Sequence, residues 1–250
     1  MPIYESESLV LKSHNLAEAD RIVVFFTKVH GVVRGVAKGA KRLNSRFGSL
    51  LEPFTIVNLE YFEKEDRELV SIRHLDLVRS FFAEASDPPV LHSYSYIADL
   101  LIAFVPPRDA NEKLYRMLKA CVESGGSSTV ELAAIRLYFE LWMLRLGGYL
   151  PDWSACDECK LPFGSGESAN VKADFHLLCE RCRKVRSHTL LSASDLETFQ
   201  TALRLAPRDF LEFASNKPDE LVAVSTVLKR IIASILGREV AGENTFAIHF

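Results

Sequence analysis

The stretch that decides the reading runs over residues 21–51, RIVVFFTKVHGVVRGVAKGAKRLNSRFGSLL. It alternates short apolar runs with glycine-containing breaks, and it holds no acidic residue. Its cations are Arg21, Lys28, Arg34, Lys38, Lys41, Arg42 and Arg46. Outside it 23 basic residues face 33 acidic ones, so a basic island sits in a slightly acidic chain of net charge −3. A field of one sign set against the rest of the surface concentrates polyanions. The seven cations are therefore the candidate nucleic-acid contacts.

Working outward, segments 3–13, 21–27, 32–38, 52–62 and 68–78 are rich in Val, Ile, Leu and Phe. Between them lie the turn signals Asn15, His30-Gly31, Gly39, Asn44-Ser45, Gly48 and the charged tip Lys64-Glu65-Asp66. Five short strands suit a small barrel, and the five-stranded OB-fold is the kind that binds nucleic acids, with an SH3-like barrel as the other option. Alternation along 32–38 puts Val33, Gly35 and Ala37 on one face, and Arg34 and Lys38 on the other. Lys41, Arg42 and Arg46 follow in a Gly- and Ser-containing loop, free to wrap a polynucleotide backbone. Of the adjacent Phe25 and Phe26, one faces the core; the other is either a stacking platform for bases or also buried.

Helical periodicity begins at Asp87. Pro88-Pro89 open a helix with the stripe Tyr94, Ile97, Leu101 and Phe104, ended by Pro106-Pro107. A second is expected over 111–123, with Cys121 a buried small hydrophobe in it. The third starts at a capping box, Ser128 with Glu131, and runs to Gly147-Gly148 through Leu132, Ile135, Phe139, Trp142 and Leu146. Later, Ser194 with Glu197 reads as a capping box for a helix reaching about 206, and Pro218 opens the last helix.

Cys156-x-x-Cys159 and Cys179-x-x-Cys182 are separated by 19 residues. That spacing is the one expected of a four-thiolate zinc site; a redox pair is the minority reading. Four sulfurs close the coordination shell, so the Zn²⁺ would be structural. The intervening residues suit a hairpin, with Gly164-Ser165-Gly166 as its turn. His176 and His188 could substitute as ligands but read as surface residues. Arg181, Arg183, Lys184 and Arg186 either extend the basic surface or offset the thiolates.

No phosphate-binding loop, nucleophile elbow or H-E-x-x-H appears, so the chain reads as a binding protein, not an enzyme. The carboxylates Glu60, Glu63, Glu65, Asp66 and Glu68 suit a solvated hairpin tip better than a metal-dependent nuclease. A further alternative is a zinc-ribbon scaffold that contacts protein instead of DNA. The start MPIYESESLV is not a signal sequence, and residues 97–105 are too short and too interrupted to span a bilayer. A cytoplasmic protein is expected.

The runs L-x-E-A-D-R-I (16–22), F-T-K-x-x-G (26–31), V-A-K-G-A-K-R-L-x-S (36–45) and L-E-P-F (51–54) resemble the N-terminal domain of the bacterial RecO family. R-L-Y-F-E-L-W-M-L-R-L-G-G-Y-L-P (136–151), followed by C-D-E-C (156–159), resembles that family's helix leading into its zinc motif. The likeness runs in order along essentially the whole chain, by helical pattern only in the C-terminal part. It implies an α+β multidomain fold: a five-stranded OB-fold barrel over 1–81, a helical domain over 82–150 and 189–250, and an inserted four-cysteine zinc-binding element over 151–188. It also implies a DNA repair and recombination mediator located at the nucleoid, which binds single- and double-stranded DNA and anneals complementary strands. It further implies work with RecR to load RecA onto DNA coated by single-stranded DNA-binding protein (SSB). For the acidic SSB tail, a groove beside the last helix with Lys229 or Arg230 is a minor possibility.

Overall fold

The computed structural model of the chain describes residues 2–16, 18–63, 68–81, 87–164, 166–183 and 189–238. The expected hairpin tip (Lys64, Glu65, Asp66), Ser165, Lys184, Arg186 and His188 lie outside the described residues. The described residues form two compact units, 2–122 and 123–238.

In the first unit, β1 (Ile3–Asn15), β2 (Arg21–Thr27), β3 (Gly31–Ala37), β4 (Ile56–Phe62) and β5 (Val70–Arg79) close a barrel in the order β1-β2-β3-β5-β4. Neighbours are antiparallel except β3 and β5, which meet in parallel at Gly35–Val70 and Val36–Ser71. This is the OB-like barrel. Closure depends on Gly35: a Cβ there would come 2.8 Å from the Ile72 side chain, so only hydrogen lets the two strands approach. Strand alternation is as expected, with Val33 and Ala37 in the core and Arg34 exposed. Val10, Val23, Phe25, Val57, Leu59, Val70 and Ile72 fill the interior.

Strand β4 starts at Ile56, not at residue 52, because a 3-10 turn (Gly48–Leu51) intervenes and Phe54 takes φ +64°. That turn carries Phe47 and Leu51 into the core. The β2–β3 turn depends on Gly31, at φ +64°, where an added Cβ would lie 2.2 Å from the Asp109 carbonyl oxygen. Gly31→Ala combines left-handed strain with a backbone clash, and should destabilise the unit by at least about 3 kcal/mol. A fall in urea midpoint at unchanged m-value would show this; an unaltered midpoint would contradict it.

Helices α1 (Pro88–Phe104) and α2 (Glu112–Ser124) follow the barrel. Phe26, on the outer parity of β2, packs against Tyr115 of α2 with ring centroids 5.8 Å apart. Cys121 is buried, its thiol pushed up by desolvation, as a small hydrophobe should be. Glu7 on β1 accepts from Lys119 Nζ at 2.9 Å and Tyr115 Oη at 3.1 Å. Burial raises the Glu7 carboxyl, but Lys119, Tyr115 and Lys28 outweigh it and hold the group below its usual 4.5. A depressed folded value gives stability that is full above the unfolded value and lost as pH falls through the folded one. Glu7→Gln should therefore flatten the acid limb of the stability curve below about pH 4.5. Parallel acid limbs for the two proteins would refute that linkage.

The second unit is built on α3 (Thr129–Leu146), which packs against α5 (Pro207–Ala214) and α6 (Pro218–Leu236); α4 (Ala193–Ala202) packs on both. The Ser128/Glu131 capping box forms as expected. Helix α3 is buried on nearly all sides, not along one stripe, and its Glu140 is fully enclosed, accepting from Ser225 Oγ at 2.7 Å. Trp142 is half-buried and donates to the Ala202 carbonyl at 3.0 Å. The helix expected from Ser194 to about residue 206 is α4, which ends at Ala202 and is capped by Ser192 with Asp195; Pro207 then opens α5, a helix the sequence reading did not expect. Two candidate boxes overlap in Ser-Ala-Ser-Asp-Leu-Glu, and the earlier serine wins because Leu191 still pairs in a strand.

Candidate nucleic-acid interface and metal centre

Of the seven expected DNA-contacting cations, the structure gathers some and separates others. Arg34 projects from the outer face of β3, and Lys38, expected within that strand, is exposed in the turn directly after it, because β3 ends at Ala37. Lys41, Arg42 and Arg46 are exposed in the loop that follows. Among the described residues Arg34, Lys38, Arg42 and Arg46 have no carboxylate within ion-pairing distance. Arg46 lies over the Phe47 ring at 4.8 Å, with that ring in the core. Arg21, at the start of β2, is 3.6 Å from Glu52. Lys28 follows the other end of β2, about 20 Å away by strand rise, and is 3.6 Å from Glu112.

The loop after β3 is more ordered than its composition predicts. Gly39 N–H donates to Asp20 Oδ1 at 2.8 Å and Lys41 N–H to the Ala19 carbonyl at 3.0 Å, tying it to the β1–β2 turn. Arg42 and Ser45 amides donate to the Gly39 and Arg42 carbonyls, making consecutive turns. The free wrapping loop expected from Gly and Ser is thus corrected to a fixed one. Neither Phe25 nor Phe26 is a stacking platform, since both are fully buried. Of the acidic group expected near the hairpin tip, Glu60 pairs with Arg73 at 2.6 Å and Glu63 with Arg108 at 3.2 Å, while Glu65 and Asp66 lie outside the described residues. Sequence reading also passed over Lys12, whose ammonium pairs with Asp99 of α1.

The four cysteines of the second unit converge. Their sulfurs all lie within 4.8 Å of one another, and Cys159 and Cys179 are 3.9 Å apart. A tetrahedral Zn–S distance near 2.3 Å requires sulfur separations of about 3.8 Å, so the set can hold such an ion. Each pair sits on a tight turn, with Lys160 N–H donating to the Cys156 carbonyl and Cys182 N–H to that of Cys179. The Cys179 amide also donates to Cys156 Sγ at 3.4 Å. Burial would raise the Cys156 thiol, but backbone donors at Cys159, Cys179 and Glu158 overcome it and hold it at about 6. A thiol so disposed is a ready metal ligand.

Around this centre, β6 (Ala169–Val171) pairs with β7 (Leu177–Leu178) and β8 (Leu190–Leu191). The expected hairpin is present as β6 and β7, joined by a turn at residues 172–176 that Lys172 N–H closes to the His176 carbonyl at 2.8 Å; Glu167 N–H donates to the Gly164 carbonyl at 3.2 Å, a separate turn ahead of β6. Lys172 spans Asp157 and Asp174 at 2.8 and 3.0 Å, which ties the β6–β7 turn to the first cysteine pair's loop. Trp153 is buried beneath, donating to the Phe175 carbonyl at 2.8 Å. His176 stands apart from the four sulfurs, beside Asp174. Arg183 donates to Asn170 Oδ1 and Arg230 to Thr189 Oγ1, so each has a partner in its own unit.

The family model described as "Recombination protein O N terminal" matches residues 1–81, and "Recombination protein O C terminal" matches 85–241. The chain belongs to the RecO family. Among curated relatives, the DNA repair protein RecO of Koribacter versatilis is 30% identical over 241 residues, covering 94% of this chain and 92% of that protein. Those of Anaeromyxobacter sp. and Geobacter sulfurreducens are 31% and 32% identical, over 79% and 70% of this chain and 76% and 71% of theirs. RecO membership carries a role in DNA repair and recombination. No described helix is long and apolar enough to cross a membrane.

Proposed function

We propose that this RecO-family chain is a non-enzymatic recombination mediator whose barrel binds single- and double-stranded DNA through Arg34, Lys38, Lys41, Arg42 and Arg46. Arg21 and Lys28 are secondary contacts, each drawn off by a carboxylate. The observation that carries the reading is the run of exposed cations along β3 and its following loop, four of them without an ionic partner among the described residues. Cations left uncompensated on a rigid frame release counterions from a phosphate backbone without reorganising first. Holding two strands with their repulsion relieved is what annealing requires, and phosphate contacts impose no sequence.

Cooperation with RecR and loading of RecA onto SSB-coated DNA, in the cytoplasm at the nucleoid, complete the reading by family likeness. The domain scheme proposed is the barrel (1–81), a helical domain in two parts (82–150 and 189–250) and the cysteine element (151–188). In that element Cys156, Cys159, Cys179 and Cys182 hold a structural Zn²⁺. With five phosphates engaged, log affinity against log salt should fall with a slope of about −4.5 on duplex and about −3.5 on single strands. Fluorescence anisotropy across a salt series measures both, alongside strand-annealing rates and zinc content of the same sample. A nearly flat salt dependence would overturn the reading.

A further inference from the structure

At the apex of the basic loop stands Leu43, between Arg42 and Asn44, with 102% relative exposure. Single exposed apolar residues are ordinary on protein surfaces and mean nothing by themselves. Three features set this one apart. Its side chain covers nothing on the protein, whereas among the described residues the other exposed large apolar side chains are at most 54% exposed. Its loop is held at both ends, by Lys41 N–H donating to the Ala19 carbonyl on one side and by the Phe47 ring buried in the barrel core on the other. And it is flanked by Lys41, Arg42 and Arg46, so anything the cations attract is brought against an apolar point.

We propose that Leu43 is a wedge that enters the base stack of bound DNA while the flanking cations hold the phosphates. This rests on the DNA-binding reading above. An aliphatic wedge needs no hydrogen-bond match, so it unstacks any step, preferring those that open easily. It also fills the place left by Phe25 and Phe26, which are buried and offer bases no ring. A wedge held by a fixed loop separates weakly paired or mismatched steps more readily than sound duplex. That is a means for a strand-annealing protein to reject poorly matched partners.

The test uses the full chain with duplexes carrying 2-aminopurine, whose fluorescence rises on unstacking. Wild type should brighten the probe at saturation, more at a mismatch than in a matched duplex. Leu43→Ala should bind with the same salt slope but lose most of that rise, and the rate of opening should fall about tenfold. Leu43→Met, an apolar side chain of similar volume, should restore it. If Leu43→Ala brightens the probe as wild type does, the wedge is wrong while DNA binding stands. The same holds if it keeps the DNA signal but loses a protein partner. If no variant of the chain, wild type included, binds with a salt dependence, the underlying reading fails first. Because Leu43 is fully exposed the variants should fold, and unchanged unfolding midpoints confirm that each comparison is of native protein.

Discussion

Cys179→Ser, or removal of metal by a chelator, is expected to unfold the cysteine element while leaving the helices of the same unit standing. The strands there are three, two and two residues long, far too short to hold a sheet by themselves. On the proposed reading a metal held by the four converging sulfurs fixes them, and Cys156 and Cys179 are buried, as is Trp153. Structural zinc contributes about 10–16 kcal/mol in peptides that fold only around the metal. Here Trp153 and Leu177 supply some core, so the expected loss is smaller, at least about 3 kcal/mol. Hydrogen exchange would show protection lost at Asn170, Val171 and Leu178 and kept along α3 and α6. Protection that survives in the chelated protein would mean that packing, not metal, holds this segment.

The second large effect should come from reversing charge in the basic loop. Replacing Lys38, Lys41 and Arg42 together by Glu removes three of the five proposed phosphate contacts. The duplex salt slope should drop from about −4.5 to about −1.8, and affinity near 0.1 M salt should fall roughly 10²- to 10³-fold. Lys28→Glu serves as the control. It breaks a contact with Glu112 on the far end of β2, and it should change DNA affinity by less than about threefold. Equal losses for Lys28→Glu and Lys38→Glu would mean that diffuse charge, and not this surface, binds DNA. Barrel stability should be unchanged in the triple variant, whose side chains are exposed and lie outside the core, and slightly lower in Lys28→Glu, which sets a carboxylate beside Glu112 and near Glu7.

Both experiments turn on residues that could be named before any coordinates were known, and the reason is that their signals are local. Four cysteines in two C-x-x-C turns predict their own convergence, because two intervening residues aim both sulfurs at one point. Alternation along β3 separates Arg34 from Val33 and Gly35 because a strand turns successive side chains to opposite faces. Ser128 and Glu131 cap α3 through bonds made within one turn of chain. Where two local signals overlapped, as at Ser192 and Ser194, pairing of the neighbouring Leu191 with β6 decided between them.

The order of residues by itself determined the strand and helix periods, the basic island and the metal-ligand set, since each is written within a few turns of chain. Tertiary structure alone decided which of those signals face solvent. Phe26 is closed off by Tyr115, Lys28 meets Glu112, and Leu43 stands bare because the Ala19 and Gly39 backbones hold its loop outward. Burial and ion pairing depend on segments far apart in sequence, and no local period carries that information.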